Sequence, residues 1–180
     1  APVEKIEAIL DRHEQMRFYV DDAHGMSWCG PNGSGSVLDS IGLHPRMVLS
    51  TGMAKGFGTG GGLVVSSSPE IRKKVRRFGP TLIFVGPLQP PILGAAIASA
   101  RIHLSPEIGA MQAELRERLE LFAARVGRHP IPVVSPGNTP VGFVGTGPTQ
   151  VCQILCARLM DAGFFTNPAQ FPATPARRSG

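Results

Sequence analysis

Short apolar runs separated by helix-patterned stretches constrain this chain more than any other feature it has. Phe18-Tyr19-Val20, Met47-Val48-Leu49, Leu63-Val64-Val65 and residues 82–85 are each too short for a stable helix and each read as a strand, the first of them buried. Around them, Val3, Ile6, Ile9 and Leu10 share one helical face, and Pro69 opens a basic helix at the first-turn position that proline favours. Residues 91–104 read as an alanine-rich helix. Strands alternating with helices predict an α/β domain with a mainly parallel sheet. Residues 106–126 follow as a longer amphipathic helix, with Ile108, Met111, Leu115, Leu119 and Phe122 on one side. The texture then changes. Strands are expected at 131–134 and 141–144 about a Pro136-Gly137-Asn138 turn, and a helix over 149–162 ended by Gly163. This organisation predicts a partial large domain over residues 1–105 and a smaller α+β domain over 106–180.

Composition narrows the class. Hydrophobic residues make up 42% of the 180 residues and charged ones 17%, material for a packed core rather than a disordered chain. The longest apolar run, residues 92–100, falls well short of the ~20 residues of a membrane span. Residues 1–12 mix acids and bases at helical spacing, unlike a signal peptide. Three cysteines without framework spacing fit a reducing compartment, so a cytoplasmic protein is expected. Cys152 and Cys156, one helical turn apart, read as packing or as half of a metal site that has no second pair, and no metal is expected. The net charge of +5 is densest at Arg72, Lys73, Lys74, Arg76 and Arg77. These read as a solvated helix face or a phosphate contact. No aromatic residues interleave with them, and no nucleic-acid partner is expected.

The chemistry gathers at strand ends. Asp21 closes the first strand, at the carboxyl end where open α/β sheets place ligands. His24 lies three residues on, in the following turn. Lys55 lies in Ser50-Thr51-Gly52-Met53-Ala54-Lys55-Gly56-Phe57-Gly58, directly after the second strand, and is one of four lysines in the chain. Small residues and glycines around it let a planar ligand approach closely. Pyridoxal phosphate needs such parts: a lysine amine for a Schiff base, a carboxylate for its pyridine nitrogen, and an imidazole near its ring oxygen. Each residue alone has an ordinary reading, Asp21-Asp22 as a turn or helix-cap signal and His24 as a structural histidine. Gly56-Phe57-Gly58-Thr59-Gly60-Gly61 formally matches the dinucleotide fingerprint, but a strand rather than a helix follows it.

Tyr19-Val20-Asp21-Asp22-Ala23-His24-Gly25 closely resembles the signature of the α-oxoamine synthases, acyl-CoA-dependent fold-type I pyridoxal-phosphate enzymes of the aminotransferase class I/II superfamily. Gly30-Pro31-Asn32-Gly33-Ser34-Gly35 is similar to that family's glycine loop, residues 50–62 to its lysine segment, and residues 84–91 to its Phe-x-x-x-x-x-Pro-Pro segment. The resemblance covers most of residues 1–105 and is looser beyond. It implies that Lys55 carries pyridoxal 5'-phosphate and is the catalytic residue, that Asp21 pairs with the pyridinium nitrogen, and that His24 contacts the ring hydroxyl. Thr51 joins them as an expected cofactor contact. It further implies amino acid and acyl-CoA substrates and a homodimer.

This sequence departs from the family at identifiable places. Gly52 stands where a phosphate-binding hydroxyl is usual, and Val85 and Gly86 replace hydroxyls that reach the partner subunit's phosphate site. The family's phosphate loop, ring-stacking aromatic and carboxylate-binding arginine have no counterparts in these 180 residues. The chain is therefore expected to be a piece of a longer enzyme, inactive and weak in cofactor binding by itself. Decarboxylative condensation of an amino acid with an acyl-CoA is the leading expectation. The alternatives are an aminotransferase and a non-catalytic homologue serving as a dimer partner.

Overall fold

A computed structural model of the chain describes residues 2–134, 139–175 and 177–180. The chain forms two compact units, residues 1–113 and 114–180. In the first, helix α1 (Val3–Arg12) leads into strand β1 (Phe18–Asp21), a glycine-rich turn, helix α2 (Ser36–Ile41), strand β2 (Met47–Gly52) and strand β3 (Gly62–Val65). Helices α3 (Pro69–Phe78), α4 (Pro80–Ile83) and α5 (Pro90–His103) follow. Helix α6 (Glu107–Val126) contains the division between the units. Helix α7 (Thr149–Asp161) belongs to the second unit.

Strand alternation decides what is buried. Phe18 and Val20 of β1, Met47 and Leu49 of β2 and Val65 of β3 pack with Val3 of α1 and Val37, Leu38 and Ile41 of α2. Met47 and Leu49 are almost wholly enclosed, each contributing about 1.5–3 kcal/mol. Tyr19 and Asp21, the alternate residues of β1, are exposed. The α/β class is thus as expected, but the three strands form a mixed sheet in the order β1-β2-β3. β1 and β2 are parallel, with Asp21 beside Ser50. β3 turns back antiparallel to β2, with Gly62 beside Gly52.

Helix α2 has no strong sequence signal, and a distant residue holds its first turn. The carboxylate of buried Asp22 accepts a bond from the Ser36 hydroxyl at 2.6 Å and from the Val37 N–H at 3.0 Å. A side chain at Gly25 or Gly35 would overlap that carboxylate, and Gly35 also has a φ of 97°. Asp22 is therefore a cap supplied from the end of β1. Asp22→Ala is expected to destabilise the protein by about 2–3 kcal/mol, since it removes two bonds to a buried charged acceptor. Urea unfolding of the two proteins side by side checks this; a loss under half a kilocalorie would show that the cap is dispensable.

Two local expectations are corrected. Residues 82–85 do not form a strand: Pro80 begins a helical turn in which the Phe84 N–H bonds the Pro80 carbonyl at 2.9 Å. An apolar run this short fits either state, and the leading proline favours the turn. Segments 131–134 and 141–144 meet only as an isolated Val133–Val144 bridge. Pro130 and Pro132 carry no N–H, so the ladder does not extend. The expected turn at Pro136-Gly137-Asn138 lies outside the described residues.

In the second unit, Cys152 of α7 is fully buried and points its sulfur at the Gly180 carbonyl, 3.2 Å away. Burial, with Cys156 beside it, pushes the Cys152 thiol up. Ser179, also fully buried, accepts at its carbonyl from the Thr146 N–H at 2.8 Å. Among the described residues, no three His, Cys, Asp or Glu are grouped to hold a metal ion. No helix among them is long and apolar enough to cross a membrane.

Candidate active site

Parallel pairing of β1 and β2 sends both chains out of the sheet at one edge. Asp21 is the last residue of β1, and Ser50, its neighbour in register, lies two residues before the end of β2. The exposed Asp21 carboxylate accepts from the Ala23 N–H at 2.9 Å, an Asx-type turn that carries the chain towards His24. His24 is exposed too, and its carbonyl accepts from the Trp28 indole N–H. On the other strand, residues 53–61 form the connection between β2 and β3, and Lys55 stands exposed within it.

That connection is closed by its own backbone. The Met53 N–H reaches the Gly61 carbonyl at 3.0 Å, Thr59 N–H the Met53 carbonyl at 2.8 Å, and Gly58 N–H the Lys55 carbonyl at 2.9 Å. The residue after Lys55 touches the turn after His24: a side chain on Gly56 would come within 2.8 Å of the Met26 carbonyl oxygen and 3.0 Å of the Ser27 β-carbon. The Lys55 loop and the Asp21–His24 turn are therefore docked on one another at the carboxyl ends of adjacent parallel strands. An amine, a carboxylate and an imidazole, all exposed, stand at that edge. This donor set matches what pyridoxal phosphate asks of a protein: an amine for its aldehyde, an anion for its ring nitrogen and a donor for its ring oxygen.

Thr51 is differently placed. It is buried, and its hydroxyl is directed to the Asp22 carbonyl at 3.5 Å and the Met26 sulfur at 3.3 Å, inside the frame that carries the site. Ser50, on the opposite side of β2, takes a bond from the Tyr19 hydroxyl at 2.9 Å.

Several residues of this edge escape sequence reasoning. Buried His103, at the end of α5, lies 2.9 Å from the Ser27 hydroxyl through Nε2, and its ring packs on Phe57 with centroids 4.7 Å apart. Buried Gln112 of α6 donates to the carbonyls of Ser27 and Gly30 at 2.9 and 3.1 Å. The one available signal was a histidine ending an otherwise alanine-rich apolar helix.

The aminotransferase class I and II family model matches residues 1–177. The chain belongs to that family. Among curated relatives, 8-amino-7-oxononanoate synthase of Marinomonas sp. is 27% identical over 98% of this chain and 43% of its own length. The 5-aminolevulinate synthase 1 of Cereibacter sphaeroides is 29% identical over 96% of this chain and 42% of its own. Among solved structures, serine palmitoyltransferase from S. paucimobilis, with a bound PLP–myriocin aldimine, superposes with a TM-score of 0.88 at 25% identity, covering 99% of this chain and 44% of that one. These are α-oxoamine synthases, the group whose signature residues 19–25 resemble. The chain spans less than half the length of the curated relatives it matches.

Proposed function

We propose that the protein carrying this chain joins an amino acid to an acyl-CoA with loss of carbon dioxide, using pyridoxal 5'-phosphate held by Lys55. The observation that carries this reading is the docking of the Lys55 loop on the Asp21–His24 turn at one strand-end edge. Relatives that make 8-amino-7-oxononanoate and 5-aminolevulinate support the reaction class. When bound, the cofactor supplies an electron sink for negative charge at the substrate α-carbon.

The chain's own residues do the rest. Asp21 presents a fixed anion to the ring nitrogen and keeps its proton in place, a preorganised charge that needs no rearrangement during the reaction. His24, three residues further on, would donate to the ring oxygen. The Lys55 amine would hold the cofactor's aldehyde carbon and, when free, would serve as general base for the substrate α-proton. Thr51, with its hydroxyl turned inward to the Asp22 carbonyl and the Met26 sulfur, would support the turn that carries His24.

The same reading makes the protein a cytoplasmic homodimer. Phe78, Leu82, Ile83, Phe84 and Val85 form an exposed apolar run, a surface that a second subunit would cover. Sedimentation of the protein carrying this chain, with and without Phe84→Asp, tests that point; a wild-type monomer would remove it.

Lys55 has a direct test. Borohydride reduction of the protein loaded with pyridoxal phosphate, followed by peptide mapping, is expected to place the pyridoxyl label on Lys55. Lys5, Lys73 and Lys74 are the other lysines of the chain, and a label on one of them would refute the assignment.

A further inference from the structure

Ser27 is held in a backbone conformation that serine seldom adopts, with a φ of 80°. Left-handed backbone at a non-glycine residue persists only where the surroundings enforce it. Here they do so from four sides. The Ser27 N–H donates to the Gly33 carbonyl at 2.9 Å, and its carbonyl accepts from Gln112 at 2.9 Å. Its hydroxyl meets His103 Nε2 at 2.9 Å, and Gly56 of the Lys55 loop packs against its β-carbon.

His103 joins this point to the loop. Its Nδ1 lies 2.8 Å from the Ser99 carbonyl, which can only accept, so Nδ1 carries a proton. In the neutral ring Nε2 is then the acceptor, and the Ser27 hydroxyl donates to it. The ring face packs on Phe57, two residues after Lys55. The Ser99 hydroxyl, one turn back on α5, donates to the Phe57 carbonyl at 2.7 Å. Further along the loop, the Thr59 hydroxyl donates to the Ile92 carbonyl at 3.1 Å. The loop's own backbone bonds close it on itself, whereas α5 ties it to the turn that carries His24.

We propose that His103, acting through Ser27 and Phe57, is a positioning residue that fixes the Lys55 loop against the Asp21–His24 turn. It touches neither substrate nor cofactor. Its effect is to keep the lysine amine and the ring-binding carboxylate in mutual register, so that the cofactor meets a ready-made site. The functional meaning rests on the assignment of Lys55 above, but the mechanical claim can be read without any cofactor.

The test uses the full protein carrying this chain and three variants. His103→Phe keeps a ring against Phe57 and loses both polar bonds. His103→Gln restores a polar group that can reach Ser27. Ser27→Ala removes only the hydroxyl and is the milder variant should His103→Phe fold poorly. Amide hydrogen exchange in the cofactor-free protein is expected to quicken about tenfold across residues 53–61 in His103→Phe and Ser27→Ala, with β1 and β2 unchanged. The Kd for pyridoxal phosphate, followed by Trp28 fluorescence, should rise about tenfold in the same variants and recover in part in His103→Gln. Unaltered loop exchange in both His103→Phe and Ser27→Ala would overturn the proposal. So would an equal rise throughout the sheet, the mark of a merely structural residue. A pyridoxyl label on a lysine other than Lys55 would instead overturn the catalytic assignment, whatever the exchange data showed.

Discussion

Lys55→Ala is expected to lower turnover of the protein carrying this chain by about 10³-fold or more. The expected loss combines the covalent hold on the cofactor with the base for the α-proton, two tasks proposed for the one amine. Stability should hardly move. Lys55 is exposed, and the bonds that close its loop run through backbone groups that alanine keeps. The decisive measurement is single-turnover release of carbon dioxide from an amino acid and acyl-CoA, with added methylamine as a second arm. Partial rescue by the small amine would show that the missing group is the amine itself. Undiminished turnover in Lys55→Ala would end the proposal.

Asp21 is expected to show the next largest effect, and two substitutions separate its roles. Asp21→Asn keeps an oxygen for the Ala23 N–H but carries no charge. Asp21→Ala loses both. Each should reduce kcat by about 10²–10³-fold, the typical consequence of removing one preorganised electrostatic partner. Only Asp21→Ala should lower stability, by about 1 kcal/mol for the lost turn bond. Equal activity of Asp21→Asn and wild type would show that the carboxylate's charge is not directed at the ring nitrogen.

The expectations that held were those with short-range physical causes. β1 and β2 follow from apolar runs whose alternate residues face the core, β3 from a run of which Val65 packs there, and α3 from the proline at its start. Asp21, His24 and Lys55 stood out because charge and glycine directly follow strands. The misread segments lack such a local rule. Residues 82–85 are apolar without a period, and prolines cut short the pairing of 131–134 with 141–144. The antiparallel return of β3 was hidden as well, because a nine-residue connection does not look like a hairpin turn. What held the site together was least visible. His103 lies 76 residues from Ser27 and Gln112 lies 85 away, separations at which spacing carries no information. The helix-cap reading open to Asp21-Asp22 applies to Asp22, which caps α2, although the helix it caps begins 14 residues away.

Those two neighbouring carboxylates leave β1 on opposite sides, one exposed at the strand-end edge and one buried under α2. Selection should therefore write two different signatures at adjacent codons. In a saturation library scored for both cellular abundance and activity, substitutions at position 22 should deplete the protein itself, leaving specific activity of the survivors near normal. Substitutions at position 21 should accumulate as well-expressed, silent enzyme. A single-residue insertion ahead of them in β1 would exchange the two faces and forfeit both properties at once. Insertions there should be the least tolerated in the region, below almost any replacement at either aspartate.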